Sequence, residues 1–142
     1  MLLESLLETL KSDEGWRPYV YNDSEGFATI GYGFLVDSRK GVGLPRPVAE
    51  LWLRYAVNER LAELQRLWPA FDDQPEDIQL AVMNMAYQMG PAGVMKFKRM
   101  LAALAAGYRK TAADEMLDSA WAKQTPYRAR RVVAMIRGSM PT

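Results

Sequence analysis

Apolar positions in the first twelve residues follow the period of an α-helix. The recurring residues are Leu2, Leu3, Leu6, Leu7 and Leu10. Spacings of three and four place them on one helix face, and we expect this helix to end near Ser12. The stretch has acidic residues within its apolar run and lacks the basic start and small-residue cleavage site of a signal peptide. We therefore expect a protein made in the cytoplasm.

From Tyr19 to Val36 the pattern changes to short runs of aromatic and β-branched residues. The sequence NDSEG at residues 22–26 interrupts these runs with residues that favour turns. Short strands separated by turn residues are typical of a small antiparallel sheet. We therefore expect a sheet between the first helix and the loop at residues 37–47.

The rest of the chain follows helical patterns. A long amphipathic helix is predicted to begin at Pro47 and to end at Trp68, because Pro69 interrupts the backbone hydrogen bonds. Further helices are predicted over residues 78–89, 94–106, 111–120 and 126–137. One small sheet in a mainly helical chain predicts the α+β class.

A chain of 142 residues suits a single domain built from two small lobes. We expect residues 13–46 to form a sheet lobe. Residues 1–12 and 69–142 are expected to form a helical lobe, and residues 47–68 the helix that links the two.

The composition restricts the chemistry. Because the chain has neither cysteine nor histidine, disulfides and thiolate nucleophiles are excluded, and the commonest zinc ligand and general base are absent. Acid–base chemistry then falls to Asp and Glu, and we expect neither a metal nor a cofactor. No apolar run approaches the roughly 20 residues of a membrane-spanning helix, so no integral membrane segment is expected.

The net charge of +1 is unevenly distributed. Residues 1–95 carry 8 basic and 14 acidic side chains, whereas residues 96–142 carry 10 and 3. Such asymmetry is found on solvated helix faces. It is also found on surfaces that attract an anionic polymer, such as nucleic acid or a carboxylate-rich cell wall.

The order of several motifs resembles the bacteriophage-type lysozymes of the T-even phage family. The motifs are DEG at 13–15, DSEGFATIGYG at 23–33, NMAYQMG at 84–90, GVMKF at 93–97 and WAKQTPYRARRV at 121–132. The resemblance covers residues 2–33 and 81–137, and the segment after Leu35 is shorter than in the family. It implies a monomeric endolysin that cuts the β-1,4 bond between N-acetylmuramic acid and N-acetylglucosamine in peptidoglycan after its release from the host cytoplasm.

The resemblance also implies roles for three residues. Glu14 is the expected general acid, Asp23 the second carboxylate, and Thr29 the residue that positions the attacking water in an inverting reaction. Cleavage of a glycosidic bond does require one protonated and one ionised carboxyl group. We expect partial burial to favour the protonated form of Glu14, whereas Asp23 lies in a polar turn. Without the resemblance, a helix-end charge and an Asx-turn former are the simpler interpretations of these two residues.

The same resemblance implies roles for residues farther along the chain. Arg128 is expected to orient the catalytic acid. Asn84 and Gln88 are expected to line the cleft, with Gln88 near the indole of Trp121. Leu35 and Tyr87 fall at two further positions that contact substrate in the family. At two other such positions this chain has Met100 and Glu115, which depart from the family's residues.

Two alternative functions remain open at this point. A lytic transglycosylase would use Glu14 alone and leave an anhydro sugar, but it would give Asp23 and Thr29 no task. The basic sequence YRARRVVAMIRG at 127–138 resembles a DNA-binding helix. Its apolar positions predict that one side of this helix faces the core. The sequence before it also does not show the helix, turn and recognition helix of a helix-turn-helix motif. We therefore expect peptidoglycan, and not nucleic acid, as the partner.

Overall fold

The computed structural model describes residues 2–41 and 43–138. The parts of the predicted domain at Met1, Val42 and residues 139–142 lie outside the described residues. The helices are α1 Leu2–Glu14, α2 Arg46–Leu67, α3 Glu76–Met89, α4 Pro91–Val94, α5 Lys98–Ala105, α6 Arg109–Leu117, α7 Ala120–Gln124 and α8 Pro126–Arg137. The strands are β1 Arg17–Asn22, β2 Ala28–Gly31 and β3 Phe34–Leu35. The predicted α+β class is confirmed.

The chain divides into two compact units, Met1–Trp52 and Leu53–Thr142, which we call unit 1 and unit 2. The boundary falls inside α2. Unit 1 holds α1 and the sheet, and unit 2 holds α3 to α8. The lobe boundaries predicted from the sequence stay a prediction. No helix within the described residues has the length and apolar character needed to cross a membrane.

The three strands form an antiparallel sheet in the order β1-β2-β3. Thr29, on the central strand, pairs with Tyr21 on β1 and with Leu35 on β3. The register of β1 against β2 shifts between Arg17 and Tyr21, as at a β-bulge. The predicted small sheet is therefore confirmed, with Thr29 at its centre.

Local signals account for most helix ends. At the end of α1, Gly15 has a φ of +74°, and its N–H donates to the Lys11 carbonyl over 3.0 Å, which closes the last turn. Helix α2 ends at Leu67, one residue before the predicted end at Trp68, and Gly90 follows the end of α3. Helix α8 has the predicted bounds.

The predicted helix over residues 94–106 is only partly correct, because residues 98–105 are helical and residues 95–97 are not. Helix α4 ends at Val94 and α5 begins at Lys98, and the turn between them is closed by a 2.9 Å hydrogen bond from the Phe97 N–H to the Val94 carbonyl. This turn places the Phe97 ring edge-on against Trp121 of α7, with the ring centroids 6.4 Å apart. A long-range aromatic contact thus outweighs the helical propensity of the segment.

The predicted helix over residues 111–120 is also only partly correct. Helix α6 covers Arg109–Leu117, and a separate short helix, α7, begins at Ala120. The Ser119 hydroxyl caps α7 by accepting a 3.1 Å hydrogen bond from the Ala122 N–H. A serine cap favours a new helix start over continuation of the previous one.

The apolar core of unit 2 is formed mainly by α3, α5, α6 and α8. Its largest fully buried side chains on these helices are Ile78, Val82, Met85, Met100, Met116, Val132 and Ile136. Val132, Val133 and Ile136 of the basic helix α8 are buried in this core, as its sequence pattern predicted, whereas Ala134, expected on the same face, is exposed.

An ion pair joins α3 to α6 beside this core. Arg109 donates two hydrogen bonds to the Asp77 carboxylate, 2.8 Å from Nη1 to Oδ2 and 2.9 Å from Nη2 to Oδ1. Gly138, at the end of α8, lies against the pair so closely that a Cβ there would overlap both side chains. These three residues fix the ends of α3, α6 and α8 to one another.

The Asp77–Arg109 pair makes stability depend on pH. The hydrogen bonds from Arg109 lower the pKa of Asp77 below its usual value. A lowered folded-state pKa adds stability above the unfolded pKa of about 4, and this stability is lost as the pH falls through the folded pKa. The Asp77 side chain is 37% exposed, so we expect Asp77→Asn to reduce the free energy of unfolding at pH 7 by only about 1 kcal/mol. Urea unfolding measures the difference.

Asp73→Asn is the matched control, because Asp73 is exposed and belongs to no ion pair within the described residues. We expect the gap between wild type and Asp77→Asn to narrow at pH 3, whereas Asp73→Asn follows wild type at both pH values. A gap that stays constant from pH 7 to pH 3 contradicts the linkage.

Candidate active site

Glu14 is the last residue of α1, and its carboxylate lies against the turn between β2 and β3. A Cβ built on Gly33 of that turn would be 2.9 Å from Glu14 Oε2. The partial burial expected for Glu14 is not found, because its side chain is exposed. It lies over a glycine, which has no side chain to cover it.

Asp23 forms the turn between β1 and β2. Its Oδ1 accepts hydrogen bonds from the N–H groups of Glu25, at 2.9 Å, and Phe27, at 2.8 Å. The side chain is half-buried, and within the described residues its Oδ2 has no hydrogen-bond partner. Asp23 is therefore an Asx-turn former, and the turn fixes one carboxylate oxygen while leaving the other available.

Thr29 is buried at the centre of the sheet, with only 2% of its surface exposed. Its hydroxyl donates to the Phe27 carbonyl over 2.9 Å. Because a hydroxyl has one proton, Oγ1 can then only accept a hydrogen bond from any further partner. Leu35, another predicted site residue, is half-buried and pairs directly with Thr29 across β2 and β3.

Unit 1 thus assembles four of the predicted site residues around two successive hairpin turns. Asp23 lies in the first turn, Glu14 contacts the second, and Thr29 and Leu35 lie on the strands between and after them. The sequence analysis did not identify Gly33, which contacts the predicted acid across 19 residues of sequence. The motif GYG shows that position 33 is a glycine, but it does not show that this glycine lies next to Glu14 in space.

The remaining predicted site residues lie in unit 2. Arg128 on α8 donates from Nε to Asn84 Oδ1 over 2.8 Å, and from Nη2 to the Asn84 carbonyl over 3.1 Å. Both residues are half-buried. Asn84 therefore fixes the direction of the Arg128 guanidinium. The predicted role of Arg128, orientation of Glu14, stays a prediction.

The expected contact between Gln88 and Trp121 is present, since the indole Nε1 donates to Gln88 Oε1 over 3.0 Å. Tyr87, the residue directly before Gln88 on α3, is 39% exposed. The Arg60 guanidinium of α2 lies over its ring, 5.0 Å from the centroid, a distance typical of a cation–π contact. Sequence reasoning missed Arg60, because nothing in the local pattern pairs α2 with α3.

Met100 and Glu115, the two departures from the family pattern, line an open pocket of unit 2 together with Phe97 and Trp121. Charged residues of both signs surround it, including Lys96, Arg99 and Asp118. No cluster of His, Cys, Asp or Glu suited to a metal ion occurs in residues 2–41 and 43–138.

Comparison with known proteins gives consistent matches. A family model described as "Phage lysozyme" matches residues 11–136. The pre-baseplate central spike protein Gp5 of Enterobacteria phage T4 is 34% identical in an alignment that covers 93% of this chain and 27% of that protein. The probable T4-type lysozyme 2 of Dictyostelium discoideum is 28% identical over 160 residues, 94% of each protein. The probable T4-type lysozyme 1 of the same organism is 27% identical over 165 residues, 95% of each. The chain thus spans about a quarter of the spike protein and nearly all of the other two.

Proposed function

Since the chain belongs to the phage lysozyme family, we propose that it hydrolyses the β-1,4 bond between N-acetylmuramic acid and N-acetylglucosamine in bacterial peptidoglycan, with inversion. Family membership confirms the resemblance seen in the sequence and the predicted enzyme class, a glycoside hydrolase of the lysozyme type. The α+β fold and the family match are therefore consistent with the same enzyme class. The finer assignments depend on the site in unit 1.

The observation that supports the proposal most is the different environment of the two carboxylates. Glu14 is exposed and lies against a bare glycine, so its oxygens can reach a leaving group. Asp23 has one oxygen held by two backbone N–H groups, and its other oxygen has no partner among the described residues. Glu14 can therefore reach the leaving group as the acid, and Asp23 keeps one oxygen available to a water as the base.

In the proposed reaction, Glu14 donates a proton to the glycosidic oxygen as the bond between this oxygen and the anomeric carbon breaks. A water attacks that carbon from the opposite face and transfers a proton to Asp23. Thr29 contributes to the aim of this water. Because its hydroxyl proton is bonded to Phe27, Oγ1 accepts a hydrogen from the water. A water that donates one hydrogen to Thr29 and the other to Asp23 Oδ2 keeps a lone pair free for the carbon.

We assign the protein the role of a monomeric endolysin, which acts on the wall after its release from the host cytoplasm and so lyses the host. A second role is a lysozyme domain within a larger phage particle protein. The 34% identity to a segment of the T4 central spike protein favours this second role. The length of the native gene product in phage-producing cells distinguishes the two roles.

Product analysis tests the reaction itself. Digestion of purified peptidoglycan in oxygen-18-labelled water is expected to give reducing ends that carry the label, because water is the nucleophile. A lytic transglycosylase gives unlabelled anhydro ends instead, since the sugar's own hydroxyl attacks. Mass spectrometry of the released fragments separates these outcomes. Anhydro ends as the main product would contradict hydrolysis and support a reaction that uses Glu14 alone.

A further inference from the structure

Gly33 is under two separate constraints. Its φ of +82° lies in the left-handed region that side chains disfavour. A Cβ at this position would also lie 2.9 Å from Oε2 and 3.6 Å from Cδ of Glu14. By contrast, Gly107 has nearly the same φ, +84°, and its Cβ would meet nothing within 4 Å. At position 33 a side chain would therefore meet both backbone strain and the Glu14 carboxylate, whereas at position 107 it would meet backbone strain alone.

Little else in unit 1 fixes the Glu14 carboxylate. The side chain is long, exposed and at a helix end. No described residue of its own unit donates a hydrogen bond to it. An exposed glutamate without hydrogen bonds samples several rotamers. Among the described residues of this unit, the close approach to the Gly33 backbone is the contact that limits its position.

We propose that Gly33 is a positioning residue for the general acid. This inference rests on the proposed function, in which Glu14 protonates the leaving group. The turn that contains Gly33 continues directly from β2, which carries Thr29. The turn therefore ties the position of the acid to the strand that aims the water. Any side chain at position 33 pushes the carboxylate away from the scissile oxygen.

Paired alanine variants test the proposal. Gly33→Ala and Gly107→Ala impose the same left-handed strain, so both should lower Tm to a similar degree. Only Gly33→Ala is expected to lower kcat, by about 10²-fold, which is a typical effect of misplacing a catalytic group by about 1 Å. KM should change much less. The alkaline limb of the pH profile of kcat reports loss of the proton from the general acid. This limb should also shift, because the displaced carboxyl group has new surroundings.

A second pair of measurements separates positioning from general damage. In a Glu14→Gln background, Gly33→Ala should cause no further loss, because its effect acts through the carboxyl group. Gly33→Asn provides a variant suited to the left-handed backbone that still carries a Cβ, and it should lose activity as Gly33→Ala does.

Three outcomes would overturn the inference. Gly33→Ala and Gly33→Asn could retain the activity of Gly107→Ala, or the pH profile could stay unchanged, or the losses could multiply in the Glu14→Gln background. These results leave the proposed function intact as long as Glu14→Gln alone abolishes most lysis. If Glu14→Gln retains full activity, Glu14 is not the acid, and the proposed function fails together with the role of Gly33.

Discussion

Glu14→Gln is expected to lower the rate of peptidoglycan hydrolysis by about 10²–10⁴-fold, the usual contribution of general acid catalysis. An amide has nearly the same shape as the carboxyl group but cannot protonate the leaving oxygen. The side chain is exposed at the end of α1, so the substitution should leave the fold and Tm nearly unchanged. Turbidity clearing of purified peptidoglycan measures the rate, and circular dichroism follows thermal unfolding.

Glu4→Gln is the matched control for this experiment. Glu4 is exposed in the first turn of the same helix, and Glu14 is the last residue of that helix. Glu4→Gln therefore removes the same charge at the opposite end of α1. We expect wild-type clearing from this variant. A folded Glu14→Gln protein that clears the wall as fast as Glu4→Gln is the result that refutes the role of Glu14.

Much of the fold could be predicted because its signals are local. Pro69 and Gly90 end helices through their own backbone properties, and the turn chemistry of residues 22–26 separates two strands. The interruption at residues 95–97 could not be predicted in this way. No proline or glycine lies between Val94 and Ala106, and the turn depends on the contact of Phe97 with Trp121, which is distant in sequence.

The same distinction applies to the candidate site. The Asx turn of Asp23 is a local structure, and its sequence indicated it directly. The bond between Arg128 and Asn84 spans 44 residues of sequence, and the contact of Glu14 with Gly33 joins a helix to a hairpin. Motif order could identify Glu14, Asn84 and Arg128 by resemblance to a family, but it did not identify Gly33. Only the three-dimensional structure shows which groups they touch.

Asp23→Asn should lower kcat by about 10²–10⁴-fold with little change in KM, because the variant lacks the base that accepts the water's proton. Asparagine also forms Asx turns, so its side-chain oxygen can still accept from the N–H groups of Glu25 and Phe27. The fold of the β1–β2 turn should therefore survive. Steady-state kinetics on a soluble glycan fragment and a thermal melt measure the two effects. A near-normal kcat in a folded Asp23→Asn protein contradicts the role of the base.

The configuration of the product decides whether Asp23 acts on a water or attacks the sugar itself. A retaining enzyme holds its carboxyl groups about 5–5.5 Å apart, whereas an inverting enzyme leaves about 6.5–9.5 Å for a water between them. Thr29 favours the second arrangement, because a hydroxyl oxygen that can only accept has a task beside a water and none beside a nucleophilic carboxylate. We therefore expect the wild-type enzyme to release an α-configured reducing end, observed by proton NMR before mutarotation. A β-configured end, or a glycosyl adduct trapped on Asp23, would show that Asp23 is the nucleophile and that Thr29 does not hold the attacking water.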